Sequence, residues 1–168
     1  MSSSKHFNTG PPLAYFLTWT TYGTWLPGDE RGWNRRRGQV VNQEPNKLFV
    51  EMNRSRMAEK EFLLSHVDRE TVANVIAKHC EIRCWVLRAL SVRSNHVHVV
   101  VSADEYAPEA VRDQLKAWGT RRLKEAYPTR KRFWTEGASC RWINHEDDLE
   151  AAMIYVNELQ DKKDSGIV

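Results

Sequence analysis

His96, Val97 and His98 are the residues whose types and spacing point most sharply to chemistry. In a β-strand successive side chains point to opposite faces. His96 and His98 then share one face, while Val97, Val99 and Val101 share the other. Their Cα atoms would stand roughly 6–7 Å apart, close enough for both imidazoles to close on one cation. On general grounds two imidazoles suit zinc or another transition metal. The second feature is Tyr155, within the stretch Ala151-Ala152-Met153-Ile154-Tyr155-Val156. A phenol can act as a covalent nucleophile, although with a reference pKa of about 10 it needs help losing its proton at neutral pH. Taken singly, each feature has an ordinary explanation. A His-x-His is most often a pair of half-exposed surface residues, and a helical tyrosine is most often a core residue with its hydroxyl at the edge. The two features gain meaning only if the fold brings them together.

The elements that would do so can be read along the chain. Residues 1–12 are polar and end in Gly10-Pro11-Pro12, which reads as a frayed arm. Leu13 to Tyr22 is aromatic and β-branched, hence a strand. Residues 23–58 are rich in Gly, Pro, Asn and Arg without a sustained period, and read as a long loop insertion. Val72, Val75, Ile76 and Cys80 recur at helical spacing over Arg69 to Ile82, with Asp68 as the expected N-cap. Cys84 to Val92 and His96 to Ser102 are strands joined by Arg93-Ser94-Asn95, a connection short enough to force an antiparallel hairpin. Pro108 opens a helix that runs to Tyr127, with Val111, Leu115, Trp118 and Leu123 facing inward. Arg132 to Ile143 reads as a strand or hairpin broken at Gly137. Asn144 is the expected cap of a last helix from Glu146 to about Lys163, and residues 164–168 form a loose tail.

The order β-α-β-β-α-β-α predicts an α+β fold, a ferredoxin-like (split βαβ) antiparallel sheet with an additional C-terminal helix carrying the tyrosine. Two helices would cover one face, and the last helix would cross the other, where His96 and His98 lie. Residues 13–163 would form a single domain.

Composition sets the bounds. The chain has 168 residues, 41% hydrophobic and 28% charged, ordinary for a globular protein with its own core. No apolar run reaches the length of a membrane span, and residues 1–6 lack the apolar stretch of a secretory signal. Three cysteines without paired finger spacing, Cys80 and Cys84 expected buried and reduced, point to a cytoplasmic protein with no membrane partner. Between Arg112 and Arg132 eight basic residues face two acidic ones, a local charge of +6 on a chain of +3. Such a segment is a weak pointer to polyphosphate binding, and by charge alone it reads more simply as a solvated helix face.

These residues carry a resemblance. Ser94 to Val101, with His96-Val97-His98 inside it, resembles the HUH motif (His, bulky hydrophobic, His) of the single-tyrosine transposases of insertion sequences and REP elements. Arg132 to Gly137 resembles the tryptophan strand before the catalytic helix of that family, and Glu146 to Gln160 resembles the helix bearing its tyrosine. Phe16 to Gly28 is similar to the first strand of a divergent branch. The resemblance spans about residues 13–163. It implies transfer of DNA strands through a 5′-phosphotyrosine on Tyr155, with Mg2+ or Mn2+ held by His96 and His98. The third ligand of the family usually follows the tyrosine by four residues. Leu159 stands there and cannot ligate, which leaves Gln160 by residue type and Glu158 as the alternative.

The resemblance also gives the basic segment a purpose. Arg121, Arg122, Lys124, Arg130, Lys131 and Arg132 would hold phosphates of single-stranded or hairpin DNA. Trp25, Trp33 and Trp134 would stack on unpaired bases, while Trp19, Trp85 and Trp118 would pack in the core. Family members act as monomers or as homodimers that share active sites. Two other readings fit the same residues. One is a catalytically silent nucleic-acid-binding module on a ferredoxin-like sheet. The other is a metal phosphodiesterase that uses water, with Tyr155 merely structural.

Overall fold

The computed structural model describes residues 10–33 and 44–159. Residues 1–9 of the expected arm, residues 34–43 of the long connection, the 164–168 tail and Gln160 lie outside the described residues. Four strands, β1 (Ala14–Thr20), β2 (Val86–Val92), β3 (His96–Ser102) and β4 (Ser139–Ile143), form one antiparallel sheet in the order β2-β3-β1-β4. The helices are α1 (Lys47–Ser55), α2 (His66–Ile82), α3 (Pro108–Ala126) and α4 (Glu146–Ile154), the last continuing into a π-helical turn over Tyr155–Leu159. The α+β architecture read from the sequence is the one observed. Among the described residues, no helix is long and apolar enough to cross a membrane.

Alternation along the central strands divides the core in two. Tyr15, Leu17 and Trp19 of β1 and Val97, Val99 and Val101 of β3 are buried on one face with Val72 and Ile76 of α2 and Val111, Leu115 and Leu123 of α3. Burial of each valine contributes about 1.5–3 kcal/mol. A slip of one residue would drive the histidines into this layer, so the pattern pins the register. The opposite face buries Ala14, Ala89, Val100 and Ile143 under Leu149 of α4 and Val156 of the π-helical turn.

Several local expectations need correction. The stretch 23–58 is not all loop, because α1 occupies Lys47–Ser55, capped by Asn46, whose side chain accepts from the Phe49 N–H. That helix buries no residue, which is why no long apolar period announced it. The N-cap of α2 is Ser65 rather than Asp68. Ser65 Oγ accepts from Asp68 N at 3.2 Å, and Asp68 Oδ2 accepts from Ser65 N at 2.9 Å, a reciprocal capping box. In α3 the inward position is Gly119, while Trp118 is 39% exposed. A Cβ on Gly119 would stand 3.1 Å from the Trp134 ring, so the small residue admits that indole to the core. Trp134, expected to stack on bases, is half-buried and meets Trp19 of the core edge-on at 6.2 Å. Gly137, at φ +78°, interrupts the chain before β4, leaving Trp134 only an isolated bridge to Thr21. Cys80 is buried, its thiol pushed up to about 11 by desolvation, but Cys84 is exposed on a turn with φ +57°. Helix α4 follows His145, not Asn144, and has no side-chain cap.

Candidate active site

The register of the sheet builds the site. Thr18 lies opposite His98 and Thr20 opposite His96 across β1 and β3. The side chains of Phe16, Thr18, Thr20, His96 and His98 therefore share one face, the face α4 packs on. The two imidazole rings are 4.7 Å apart between centroids. Tyr155, at the junction of α4 and the π-helical turn, lies edge-on to His98 at 5.8 Å and to Phe16 at 6.1 Å. Phe16 in turn meets His98 at 5.6 Å. The structure thus brings together His96, His98 and Tyr155. His98 is more enclosed than a surface histidine, at 8% exposure.

Hydrogen bonds fix both rings. Asn95 Oδ1 lies 2.6 Å from His96 Nδ1, and an oxygen acceptor there puts the ring proton on Nδ1 and the lone pair on Nε2. Thr18 Oγ1 lies 2.7 Å from His98 Nδ1. A hydroxyl can take either role, so it matches the same tautomer. Imidazoles held through Nδ1 with Nε2 as the donor are the form in which histidine binds metal ions, so this donor set fits a divalent cation. Asn95 is itself anchored: its carbonyl accepts from Thr21 N at 2.8 Å, Thr21 Oγ1 at 3.2 Å and Thr24 Oγ1 at 3.4 Å. Thr18, Thr21, Thr24 and Asn95 escaped the sequence reading. Threonine recurs through the first strand and the turn after it, but only the register tells which threonine meets a histidine.

Glu158 and the expected basic residues are placed elsewhere, and Gln160 lies outside the described residues. Among the described residues, no group of three or more His, Cys, Asp or Glu side chains is placed to hold a metal ion. Glu158 lines a groove with Arg88, Glu146 and Glu150, on the acidic outer side of α4. The basic residues form a separate surface. Helix α3 packs through Val111, Leu115 and Leu123 on the far side of the sheet, and its cations are carried with it. Arg121 lies over the Trp118 ring at 4.7 Å, and Arg122 pairs with Glu125 at 2.9 Å. Arg130 donates to the carbonyls of Arg132 and Lys60. The backbone N–H groups of Lys131 and Arg132 bind the Glu59 carboxylate and hold its pKa below the usual range. Lys116 donates to the Thr135 and Gly137 carbonyls at 2.9 and 3.0 Å, and burial lowers its ammonium pKa.

Tyr127, the other tyrosine near the basic segment, donates to Asp68 Oδ2 at 2.8 Å. That carboxylate raises the Tyr127 pKa, the wrong direction for a nucleophile. Trp25 donates to the Gly32 carbonyl beneath the Arg31 guanidinium, and Trp33 packs on Phe49 at 5.1 Å.

The family described as "Transposase IS200 like" matches residues 50–158 of this sequence, about two-thirds of the chain and inclusive of both histidines and Tyr155. No curated protein matches it. Two solved structures share the fold. One is a REP-associated tyrosine transposase bound to a REP hairpin. It is 13% identical with a TM-score of 0.51, over 100% of this chain and 76% of that one. The other is a Deinococcus radiodurans R1 protein assigned as a transposase, also 13% identical with a TM-score of 0.51, over 98% and 97% of the two chains. With a paired-histidine strand, a tyrosine helix laid over it and a family match across most of the sheet, the chain belongs to the IS200-like transposase family.

Proposed function

We propose that the chain cuts and rejoins single-stranded DNA through Tyr155, with a divalent ion, Mg2+ or Mn2+, held by His96 and His98. The observation that carries this is the edge-on packing of Tyr155 against His98 on the sheet face that also holds His96. Tyr155 Oη attacks the scissile phosphorus in line with the leaving 3′ oxygen. The P–O3′ bond breaks, the 3′ oxygen leaves as a hydroxyl, and the 5′ phosphate stays on the tyrosine. Attack by a 3′ hydroxyl on that phosphotyrosine reverses the step and joins strands without ATP. A divalent ion held by His96 and His98 would supply positive charge to stabilise the charge that develops on the phosphate and the leaving group. Asn95 and Thr18 orient the imidazoles, and Phe16 seats the phenol against His98.

Gln160 is the proposed third ligand. The choice rests on residue type, since Leu159, four residues after Tyr155, has no donor atom and Gln160 follows it. The proposed substrate is single-stranded DNA beside a hairpin, the latter by likeness to the relative whose structure holds a REP hairpin. Arg121, Arg122, Lys124, Arg130, Lys131 and Arg132 are the proposed phosphate contacts on the far side of the sheet. Residues 13–163 act as one domain in this proposal.

Incubation with single-stranded DNA and Mn2+, followed by denaturing electrophoresis, tests it. Wild type and Tyr127→Phe should form a covalent protein–DNA adduct, and Tyr155→Phe should form none while remaining folded. An adduct that persists in Tyr155→Phe would overturn the assignment. Cleavage without any adduct in wild type would favour the water-using phosphodiesterase.

A further inference from the structure

The π-helical turn lies over β2 and β3, while β1 and β4 continue the same face beyond it. The β1–β4 register sets Ser139 opposite Thr18 and Arg141 opposite Phe16. Alternation then puts the side chains of Ser139 and Arg141 on the face of His96 and His98, while Cys140 and Trp142 point to the other. Arg141 is thus the cross-strand neighbour of the very phenylalanine that touches both His98 and Tyr155. Its Cα stands roughly 12 Å from that of His98, from two interstrand steps and one two-residue rise. A long side chain spans much of that gap.

Arg141 is exposed, and among the described residues its guanidinium makes no hydrogen bond or ion pair. Other arginines are engaged: Arg112 with Asp113, Arg122 with Glu125, Arg130 with two carbonyls. A guanidinium without a partner among the described residues, on the sheet face of the proposed nucleophile, has a fork of N–H donors suited to a phosphate.

We propose that Arg141 is a phosphate-binding residue of the DNA site, taking a phosphate that flanks the one attacked by Tyr155, with Ser139 on the path between them. The proposal rests on the reading of the chain as a DNA strand transferase. It adds a contact on the catalytic face itself, where the basic segment around α3 contributes nothing. A strand crossing from β3 over β1 to β4 would lie with its attacked phosphate at the histidines and its neighbour at Arg141, which fixes the register of the DNA relative to Tyr155.

The test uses the full chain, a single-stranded oligonucleotide, and a set of oligonucleotides each carrying one neutral methylphosphonate. Binding is measured in the Tyr155→Phe background with Mn2+, and adduct formation in the chain with Tyr155 intact. One methylphosphonate next to the cleavage position should weaken binding about tenfold, the worth of one charge-assisted contact. Arg141→Gln should bind about tenfold more weakly, lose sensitivity to that one methylphosphonate, and show a salt slope smaller by about 0.7. Arg141→Lys should recover part of the affinity, and in cleavage Arg141→Gln should raise KM more than it lowers kcat. An unchanged methylphosphonate profile and salt slope in Arg141→Gln, with adducts still formed, would overturn the proposal and leave the strand-transfer reading standing. Binding that depends on Arg141 with no adduct in wild type would sustain the proposal and overturn the strand-transfer reading. No DNA binding by wild type would overturn both.

Discussion

His98 carries two duties that separate it from His96. It sits under Phe16 and Tyr155 and is bonded to Thr18, so it is a packing residue as well as a donor. His96 is less enclosed, and its ring is held by Asn95. Replacing His96 by Ala should abolish adduct formation with less than about 0.5 kcal/mol lost in stability, the usual cost of a change at a partly exposed position. Replacing His98 by Ala should abolish it too, but at about 1–3 kcal/mol, because a void opens beneath the phenol and Thr18 loses its partner. Denaturant unfolding beside the adduct assay separates the two. Adduct formation at wild-type level in either variant would remove the metal role of that histidine. The pair was legible because valine alternation and histidine alternation are one pattern, read on two faces. The burial of His98 was not, since it depends on what the last helix lays over it.

At the scale of elements, the π-helical turn decides where the tyrosine points. Helix α4 runs to Ile154, where the Tyr155 N–H donates to both the Ala151 and Ala152 carbonyls, and the π-helical turn follows over Tyr155–Leu159. The sequence reads as one continuous helix because the polar and apolar residues around Tyr155 suit either form, and the shift follows from packing on the sheet. On the other face, α2 is anchored by its capping box, and Asp68 in that box also accepts from Tyr127. Ser65→Ala removes the hydroxyl that accepts from Asp68 N and should lower stability by about 1 kcal/mol. Thermal denaturation measures the loss, and adducts should form as in wild type, because the box lies across the sheet from the histidines. A loss of adducts in a still-folded variant would mean that the two faces are coupled.

For the molecule as a whole, the sheet is a partition. Its buried valine face carries α2, α3 and the basic segment. The opposite face carries the histidines, Tyr155 and Arg141. If α3 holds a hairpin as proposed, the attached single strand would have to pass around the sheet edge to reach Tyr155, and the two contacts would belong to different stretches of DNA. Reversing Arg121 and Arg122 to Glu should weaken binding of a hairpin-bearing oligonucleotide and reduce the salt slope, while a short single strand without a hairpin binds as before. An unchanged slope with the hairpin would mean that α3 does not face the DNA.

The sequence by itself determined the α+β order, the antiparallel hairpin, the core valines and the pairing of two histidines on one face. Each of these follows from a local period or a short connection. It also named the helix of the tyrosine, through the chain order of motifs. Only the tertiary structure decided which residues of β1 and β4 join the histidines. Phe16 and Thr18 are far from His98 along the chain and meet it through strand register, which also sets Ser139 and Arg141 on the same face and which no local pattern encodes. It also decided that α1 fills part of the long connection, that Trp134 packs against the core over Gly119, and that α3 with its basic residues stands across the sheet from the two histidines. The reason is the same in each case: a side chain's face follows from its own strand or helix, but its neighbours follow from how separate elements pack.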